Sequence, residues 1–309
     1  MAELIVRRVA SLTERISEFE LGAAEGALPD WTPGAHVDVA THAGVRSYSL
    51  IRWPGDRFDG WRIAVQREPE GAGGSVAMHG LGAGDRVSVE GPANDFELVD
   101  SDRPVALIAG GIGVTPLVSM ATALAAAGRK FVMHYAGRSE GVMAYLSDLR
   151  GAFGDRLVVH PDDRAPIDLG LAVGGMADHD LYICGPRGMI EATRAAATAA
   201  GIPDDRVRVE LFAAPVAEAG DTAFEVELAS TGDVYAVPPG QTIIEVLEAA
   251  GHDLVYDCQR GDCGICQTDV LDGVPDHRDV VLSDSERESG KVMQICVSRA
   301  KSPRLVLDL

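Results

Sequence analysis

Apolar and polar positions alternate in short runs along the first hundred residues, and clusters of Gly, Pro and Asp separate the runs. Such alternation predicts β-strands, because successive side chains of a strand point to opposite faces. Six strands at this spacing are typical of a small antiparallel barrel. One helix start interrupts them at Gly73–His79. The predicted strands are Leu4–Val9, Ile16–Leu21, His36–Val39, Val45–Ile51, Trp61–Gln66 and Arg86–Glu90.

From Pro104 onward, buried apolar runs alternate with segments of helical periodicity. A strand at 104–109 is followed by a glycine-rich turn and a helix from about Thr115 to Ala127. Alternating β and α units of this length predict a doubly wound parallel sheet. The further predicted strands are Lys130–Tyr135, Leu157–His160, Asp180–Cys184 and Arg206–Leu211, and the further helices are Val142–Leu149 and Gly188–Ala200.

The last part of the chain carries a third pattern. Two short apolar runs, Phe224–Ala229 and Asp233–Val237, flank a turn and predict a hairpin. Thr242 and Glu245 form a capping box at the start of a short helix, which Gly251 ends. A hairpin, a helix and a cysteine-rich loop predict a compact β-grasp domain. The predicted domains are therefore 1–102, 103–213 and 223–309, with a linker at 214–222.

Composition and charge narrow the possible partners. The chain has 309 residues and a net charge of −20. Nucleic acid is bound by basic surfaces, so this charge excludes nucleic acid as a partner. Neither a signal peptide nor a membrane-spanning run is recognisable, which predicts a cytoplasmic protein that does not bind membranes. Residues 223–309 hold 16 acidic and 7 basic residues. This excess of acid fits either ordinary solvation or steering toward a basic electron acceptor.

Four of the five cysteines lie near the C-terminus with spacings of four, two and 29 residues, as in plant-type [2Fe–2S] sites. Gly261 and Gly264 allow the backbone to wrap closely around a cluster. Structural zinc sites usually have two separated C-x2-C pairs, and disulfides are unexpected in a chain without a signal peptide. The sequence thus predicts a cluster that carries single electrons. Its predicted ligands are Cys258, Cys263, Cys266 and Cys296.

Two segments of the barrel carry candidate phosphate ligands. Arg46 offers a fork of donors, Tyr48 a flat ring and Ser49 a short hydroxyl. Gly73-Gly-Ser75 stands at a helix start, where free amides favour an anion. Either segment alone also fits an ordinary barrel strand or a helix cap, but together they predict one phosphate site.

The parallel-sheet segment carries candidate nucleotide ligands at two strand ends. Gly110–Pro116 follows a buried strand and opens a helix, which is the context of a dinucleotide turn, although the glycine spacing differs from G-x-G-x-x-G. Cys184-Gly-Pro186 ends another strand, where Cys184 is either a buried core residue or a ligand-facing one. Gly137-Arg138-Ser139 stands where an acid that binds the ribose is expected. These residues therefore do not decide whether the nucleotide is NADH or NADPH.

Taken together, these motifs resemble the phthalate dioxygenase reductase family, within the ferredoxin–NADP reductase-like superfamily. The resemblance covers the whole chain in one order: flavin barrel, nicotinamide domain and C-terminal plant-type ferredoxin. The C-terminal segments Asp276–Asp279 and Cys296–Ser302 also carry it. It implies a multidomain fold with an antiparallel β-barrel, an α/β doubly wound domain and a β-grasp domain.

The resemblance also implies the cofactors and their residues. It implies FMN, a [2Fe–2S] cluster and NADH, with NADPH less favoured. It gives direct roles in electron transfer to Ser49 near flavin N5, Cys184 near the nicotinamide and Phe212 beside the flavin. The implied cofactor-binding residues are Arg46, Ser47, Tyr48, Ser49, Leu50, Ala64, Val65, Gly73, Gly74, Ser75, Gly110, Gly111, Ile112, Gly113, Thr115, Pro116, Arg138, Cys184, Gly185, Pro186 and Phe212.

The function implied is that of the reductase component of a two-component Rieske non-haem iron oxygenase, of aromatic dioxygenase or O-demethylase type. Electrons would pass from NADH through FMN and the cluster to the oxygenase, with the reductase acting as a monomer. Two alternatives stay open: a reductase for a cytochrome P450, and a ferredoxin-like carrier or sensor without turnover. Rapid NADH-dependent reduction of cytochrome c would exclude the carrier.

Overall fold

The computed structural model of the protein describes residues 1–213 and 218–309. These residues form two compact units, Met1–Arg208 and Val209–Leu309. Residues 214–217 of the predicted linker lie outside the described residues, and the domain limits given by the sequence stay a prediction. Within the described ranges, no helix has the length and apolar character needed to cross a membrane.

The N-terminal part of the first unit is a barrel-like antiparallel sheet. All six strands that the alternation predicts are present, and the helix α1 (Gly74–His79) lies between the fifth and sixth. The edge strands β4 and β5 also contact each other, which gives the sheet its barrel-like closure. The order across the sheet is β4-β3-β6-β1-β2-β5. The strands are β1 (Ala2–Ser11), β2 (Ile16–Ala23), β3 (His36–Thr41), β4 (Gly44–Ser49), β5 (Trp61–Gln66) and β6 (Arg86–Ala93).

The remainder of the first unit leads into a five-stranded sheet with the order β11-β10-β7-β8-β9. The strands are β7 (Val105–Gly110), β8 (Phe131–Gly137), β9 (Leu157–Pro161), β10 (Asp180–Cys184) and β11 (Val207–Glu210), and the helices are α2 (Val114–Ala126), α3 (Leu146–Phe153), α4 (Leu169–Val173) and α5 (Arg187–Ala199). Strands β7 to β10 pair in parallel. The chain runs outward from β7 to β9 and then crosses to β10 on the other side of β7. The strand order therefore reverses between β7 and β10, where ligands bind in such sheets.

Two helices of this unit differ from the sequence prediction. The helix expected at Val142–Leu149 is instead a 3₁₀ turn at Glu140–Val142 followed by α3, which begins at Leu146. Tyr145 separates them because its φ of 62° is left-handed and interrupts an α-helix. The short helix α4 was not predicted, since its five residues are too few to show a periodic pattern.

One apolar core joins the two sheets of the first unit. Ile51 and Ala64 of the barrel-like sheet pack in the same cluster as Leu117 of α2. A buried hydroxyl adds hydrogen bonds between the two parts of this unit. Ser119 Oγ of α2 donates to the Leu50 carbonyl at 2.8 Å and accepts from the Arg52 amide at 3.0 Å. The barrel-like sheet and the parallel sheet are therefore fixed to each other.

The second unit is a mixed sheet packed on one helix, as the β-grasp prediction requires. The sheet order is β13-β12-β18-β14-β16, with β12 and β18 parallel, and β15 pairs with β17 separately. Ile243 and Leu247 of α6 pack against Val226 and Leu305. The elements are β12 (Phe224–Leu228), β13 (Val234–Val237), α6 (Ile243–Ala249), β14 (Gln267–Asp272), β15 (Pro275–Asp276), α7 (Asp284–Ser289), β16 (Val292–Gln294), β17 (Arg299–Ala300) and β18 (Arg304–Leu307).

Helices α6 and α7 of this unit both begin with a capping box. The predicted capping box at α6 is present: Thr242 Oγ1 accepts from the Glu245 amide at 3.1 Å, and Glu245 accepts from the Thr242 amide at 2.8 Å. Ser283 and Glu286 form a second capping box at α7, which the sequence prediction did not include. Both boxes satisfy amides that a helix start would otherwise leave without partners.

Candidate functional site

Arg46 and Gly74 bring the two candidate phosphate segments together. A Cβ atom added at Gly74 would lie 2.6 Å from Arg46 Cγ and 2.9 Å from Nε, so the arginine stem lies directly on the glycine backbone. Gly73 caps α1 with a φ of 86°, a left-handed conformation that favours glycine. The guanidinium donates to the carbonyls of Val45 at 2.6 Å and Ala43 at 3.3 Å. A basic fork and glycine amides thus converge at one point of the barrel-like sheet.

Two buried hydroxyls lie at the end of β4. Tyr48 Oη and Ser49 Oγ have no hydrogen-bond partner among the residues that the structure describes. Burial raises the pKa of Tyr48 to about 12, so its phenol is neutral. Buried polar groups normally have partners, and a bound cofactor with acceptors and donors along its ring fits these two. Ser47 differs, because it is exposed and donates to Asp38 Oδ1 at 2.6 Å.

Hydrogen bonds hold the helix α1 on β5 and on the segment that follows β5. Ser75 Oγ accepts from the Glu68 amide at 3.0 Å, and His79 Nε2 lies 2.9 Å from the Val65 carbonyl oxygen. The other apolar residues implied for the flavin site, Leu50 and Ala64, are buried and belong to two different core clusters. The glycine segment before α1 is therefore fixed relative to β4 and β5.

The two candidate nucleotide segments meet at the point where the strand order reverses. A Cβ at Gly113 would lie 2.2 Å from the Cys184 carbonyl oxygen, and one at Gly110 would lie 2.7 Å from Pro186 Cδ. The turn Gly111–Gly113 therefore packs directly on the backbone after β10. Only glycines allow this approach, and the result is a crevice at the carboxyl ends of β7 and β10.

The side chains of this crevice differ in exposure. Cys184 is fully buried in the apolar core, and Thr115 Oγ1 donates to the Ile112 carbonyl at 3.0 Å. Pro116 lies in the first turn of α2, as its fixed φ favours. Arg138 follows β8 and is exposed.

Two acids that the sequence analysis did not consider lie beside Arg138. The Asp162 amide donates to the Gly137 carbonyl at 2.8 Å, and the Asp163 amide donates to the Arg138 carbonyl at 3.3 Å. Both acids are exposed and follow β9, so they come from the strand next to β8. A search for an acid after β8 misses them, because the neighbouring strand supplies them.

The four cluster cysteines converge in the second unit. The Cys258 thiol contacts those of Cys263 and Cys296, and Cys266 contacts Cys296. Gly261 and Gly264 have φ of 83° and 81°, and a Cβ at Gly261 would lie 2.9 Å from the Asp279 Cα atom. The glycines therefore allow the loop to fold tightly, as the sequence analysis expected.

The four converging sulfurs are of the ligand type that an iron–sulfur cluster takes. In the described residues, no group of three or more His, Cys, Asp or Glu side chains is arranged to hold a single ion. Contacts between the thiols link all four cysteines, and a [2Fe–2S] cluster takes four cysteine thiolates over two irons. Hydrogen bonds with Cys263 and then Cys296 lower the pKa of the Cys258 thiol, so this sulfur readily becomes a thiolate ligand. The Arg260 amide donates to the same sulfur at 3.3 Å.

Phe212 and Asp262 are two further residues of the second unit. Phe212 belongs to the second unit and is 41% exposed. Asp262 lies inside the cysteine loop, is buried, and accepts from the Leu211 amide at 2.6 Å. The sequence analysis assigned Asp262 no role, because its partner is 51 residues away along the chain.

Comparisons with known proteins agree with this arrangement. The 2Fe-2S iron-sulfur cluster binding domain family matches residues 226–301. Phenoxybenzoate dioxygenase subunit beta of Ectopseudomonas oleovorans is 41% identical over 99% of this chain and 97% of its own length. Vanillate O-demethylase oxidoreductase of Pseudomonas putida is 40% identical over 95% of both chains.

A solved structure of phthalate dioxygenase reductase matches with a TM-score of 0.72 and 34% identity, over 99% of this chain and 97% of its own. The chain belongs to the phthalate dioxygenase reductase family. Members of this family are oxidoreductases, and the predicted fold class of barrel, doubly wound sheet and ferredoxin domain is confirmed. The family fold implies a flavin and a pyridine nucleotide, and the matching domain implies a [2Fe–2S] cluster.

The phthalate dioxygenase reductase arrangement also occurs inside larger proteins. An intact type IV self-sufficient cytochrome P450 monooxygenase matches all of this chain with a TM-score of 0.74 and 37% identity. The chain spans 41% of the length of that protein.

Proposed function

We propose that the protein is the NADH-dependent reductase component of a two-component Rieske non-haem iron oxygenase. Electrons would pass from NADH through FMN and the [2Fe–2S] cluster to the oxygenase. The observation that carries this proposal is that one chain combines the Arg46–Gly74 contact, the glycine crevice between β7 and β10, and four converging cysteines. We assign a different redox group to each, so that one chain would supply every carrier that the proposed electron transfer requires.

FMN is the flavin we propose, with its terminal phosphate bound by Arg46 and the amides of Gly73–Ser75. A single terminal phosphate suits one basic fork and one set of amides. Bound flavin exchanges electron pairs with NADH and single electrons with iron–sulfur clusters. We assign Tyr48 to packing on the ring and the Ser49 hydroxyl to a place near flavin N5, and the family resemblance implies that Phe212 flanks the ring.

NADH is the nucleotide we propose, bound in the crevice formed by Gly110–Gly113 and Cys184–Pro186. The nicotinamide would lie near Cys184 and Thr115. Asp162 and Asp163 support NADH over NADPH, because their charges beside Arg138 would repel a 2′-phosphate.

The partner we propose is a Rieske-type oxygenase, of aromatic dioxygenase or O-demethylase type. The support comes from relatives that are named as parts of dioxygenase and O-demethylase systems. We further propose that the reductase acts as a cytoplasmic monomer, where reduced thiols favour cluster ligation.

The proposal is tested by steady-state kinetics and cofactor release from the purified protein. The kcat/KM for ferricyanide reduction should be at least about tenfold higher with NADH than with NADPH. Denaturation should release FMN, identified by chromatography, and not FAD. Turnover of a Rieske oxygenase when mixed with this reductase would support the partner; equal use of NADPH or release of FAD would contradict the respective assignment.

A cytochrome P450 is the second candidate acceptor. The observation that favours it is the full-length similarity to the reductase-sized part of a self-sufficient P450 monooxygenase. Parallel reconstitution with a Rieske oxygenase and with a P450, at equal reductase concentration, separates the two. NADH-dependent product formation in only the P450 mixture would favour this second function.

A further inference from the structure

The segment Asp276–Asp279 carries part of the family resemblance, but the proposed electron transfer gives it no role. Its last residue, Asp279, has a fully buried side chain. The Oδ2 atom accepts from the amides of Val281 at 3.1 Å and Leu282 at 2.9 Å. The guanidinium of Arg287 donates to the same oxygen at 3.0 Å. A buried carboxylate costs free energy unless hydrogen bonds compensate it, so Asp279 and these donors together fix the turn that follows it.

The same turn packs against the cysteine loop at Gly261. The Val280 amide donates to the Gly261 carbonyl at 2.8 Å. A Cβ atom added at Gly261 would lie 2.9 Å from the Asp279 Cα atom, so the two backbones are in direct contact. Gly261 lies between the first two cluster ligands and has a left-handed φ of 83°. The turn therefore holds this part of the cysteine loop in a fixed place.

The backbone just before Gly261 has an unfavourable conformation and faces a ligand sulfur. Gln259 has a φ of 50°, a left-handed value that residues with a side chain adopt only where their surroundings hold them. The next amide, that of Arg260, donates to Cys258 Sγ at 3.3 Å. Hydrogen bonds to cluster sulfurs help to set the potential of a cluster. Loss of the support at Gly261 would let this backbone relax and weaken that hydrogen bond.

We propose that Asp279 is a positioning residue for the cysteine loop. Through the turn and Gly261, it would keep the backbone between Cys258 and Cys263 in the shape that a [2Fe–2S] cluster requires. The inference rests on the proposed function and concerns only the cluster. All of the contacts that carry it lie in the second unit, and the carboxylate acts through the backbone of the turn.

Two substitutions separate the hydrogen bonds of Asp279 from its charge. Asp279→Asn removes the charge but keeps an oxygen that can accept from the two amides of the turn. Asp279→Ala removes both. Thr242→Ala is the matched control, because it weakens the same unit by removing the cap of α6, whose hydrogen bonds are local.

The decisive measurement is electron paramagnetic resonance of the dithionite-reduced holoprotein, together with the rate at which an iron chelator removes the cluster. In Asp279→Ala the chelator should act at least about tenfold faster, and the g-values should shift. Asp279→Asn and Thr242→Ala should stay within about threefold of the wild-type chelator rate, and the control should keep the wild-type g-values. Hydrogen exchange at the Val281 and Leu282 amides should speed up most in Asp279→Ala, which tests the contact without any turnover.

A redox titration followed by the same resonance signal is the second readout. A weaker amide hydrogen bond to sulfur disfavours the reduced cluster, which carries more negative charge. At the wild-type midpoint potential, the ratio of reduced to oxidised cluster in Asp279→Ala should therefore fall by about threefold or more. A fold that is merely less stable would not change this ratio, so Thr242→Ala should keep it.

Two results would overturn the proposal. One is an Asp279→Ala protein whose g-values, potential and chelator rate equal those of wild type although the Leu282 amide exchanges faster. The other is a Thr242→Ala protein that loses its cluster as fast as Asp279→Ala, because cluster retention would then follow overall stability and not the turn.

If Asp279→Ala retains no cluster, Arg287→Ala tests the same contact more mildly. It removes the donor to Asp279 Oδ2 and keeps the carboxylate with its two amide bonds. The chelator should then act about threefold faster or more, and a wild-type rate would overturn the proposal. A wild-type protein that gives no iron–sulfur signal after reduction by dithionite would instead contradict the cluster in the proposed function.

Discussion

Arg46 illustrates how a single residue carries an assignment. The sequence places it on a strand and Gly74 in a different segment, and the structure puts its stem on the glycine backbone. A guanidinium held in this way loses little further freedom on binding a phosphate. The phosphate assignment therefore depends on Arg46 more than on any other side chain.

Replacement of Arg46 by alanine should weaken FMN binding selectively. Hydrogen bonds to charged groups contribute about 1.5–3 kcal/mol, so the Kd for FMN should rise by about 10- to 100-fold. Fluorescence titration of the apoprotein with FMN measures it, and cluster content should not change. Arg86→Ala removes an exposed arginine of the same sheet, which pairs with Glu3, and is the control. Equal affinities of Arg46→Ala and wild type would contradict the phosphate role.

The residue scale also shows what sequence can and cannot predict. The cysteine ligands are predicted by spacing alone, because a cluster requires thiolates at short, fixed intervals in its loop. The contacts of Asp262 and Asp162 could not be predicted, because their backbone partners lie in other segments. Contacts of this kind appear only once the chain is folded.

At the scale of elements, the two glycine turns at the strand ends shape the crevice that we assign to the nucleotide. Gly113→Ala should push the turn away from β10, because its Cβ would lie 2.2 Å from the Cys184 carbonyl oxygen. We expect the KM for NADH to rise by about tenfold or more, and the unfolding free energy to fall by about 1–3 kcal/mol. Steady-state kinetics and urea unfolding measure the two effects.

The control for this substitution is Gly151→Ala in α3, where an added Cβ meets no atom within 4 Å. Its KM should equal that of wild type, and its helix should be slightly more stable. A normal KM in Gly113→Ala would show that the packed turn does not shape the nucleotide site.

Strands β8 and β9 carry a stacked histidine pair that makes stability depend on pH. His134 Nδ1 and His160 Nε2 lie 3.0 Å apart, and His134 is 7% exposed. Burial, and then the charge of His160, lower the pKa of His134 to about 4 from an ordinary value near 6.5. Between these values the unfolded chain binds a proton that the folded chain does not. The unfolding free energy should therefore fall as the pH drops from about 6.5 to 4, by up to about 3 kcal/mol.

Urea unfolding between pH 7.5 and 4.5, followed by circular dichroism, tests this pH dependence. In His134→Gln the slope over the window should be smaller, so that the difference from wild type shrinks as the pH falls. His42→Gln, at an exposed position, should keep the wild-type slope. Parallel curves for wild type and His134→Gln would contradict the assignment of the slope to this histidine.

Element prediction succeeded where patterns are long and failed where they are short. The six strands of the barrel-like sheet follow from alternation that extends over four or more residues each. Helix α3 starts later than predicted, because the left-handed Tyr145 interrupts a periodic run, and that conformation is stabilised by tertiary contacts. Its hydroxyl donates to buried Glu18 at 2.7 Å, and its ring packs on Trp53. The paired strands β15 and β17 have two residues each and leave no sequence pattern.

At the scale of the whole molecule, the order of the modules was predictable from motifs alone. Each motif is weak by itself, but a phosphate segment, a dinucleotide turn and a cysteine loop in this order have one common explanation. The chain divides into two compact units, and the cluster ligands all lie in the second. A defect in the cluster should therefore leave the chemistry of the first unit intact.

Cys263→Ser tests this independence. The variant should lose its [2Fe–2S] absorption and electron paramagnetic resonance signal, while NADH still reduces its flavin at a rate within about twofold of wild type. Cys184→Ser is the matched control, because this buried cysteine lies in the first unit and should leave the cluster signal unchanged. Loss of flavin reduction in Cys263→Ser would mean that the two units do not function separately.

The central claim, that one chain holds a complete path from NADH through a flavin to an iron–sulfur cluster, is tested most directly by an anaerobic visible spectrum before and after one equivalent of NADH. The account predicts flavin absorption at about 450 nm over a broad iron–sulfur shoulder at longer wavelength, with both bleached by NADH. Flavin absorption without the shoulder would contradict the cluster assignment. A protein that stays colourless after reconstitution with flavin, iron and sulfide would contradict the account as a whole.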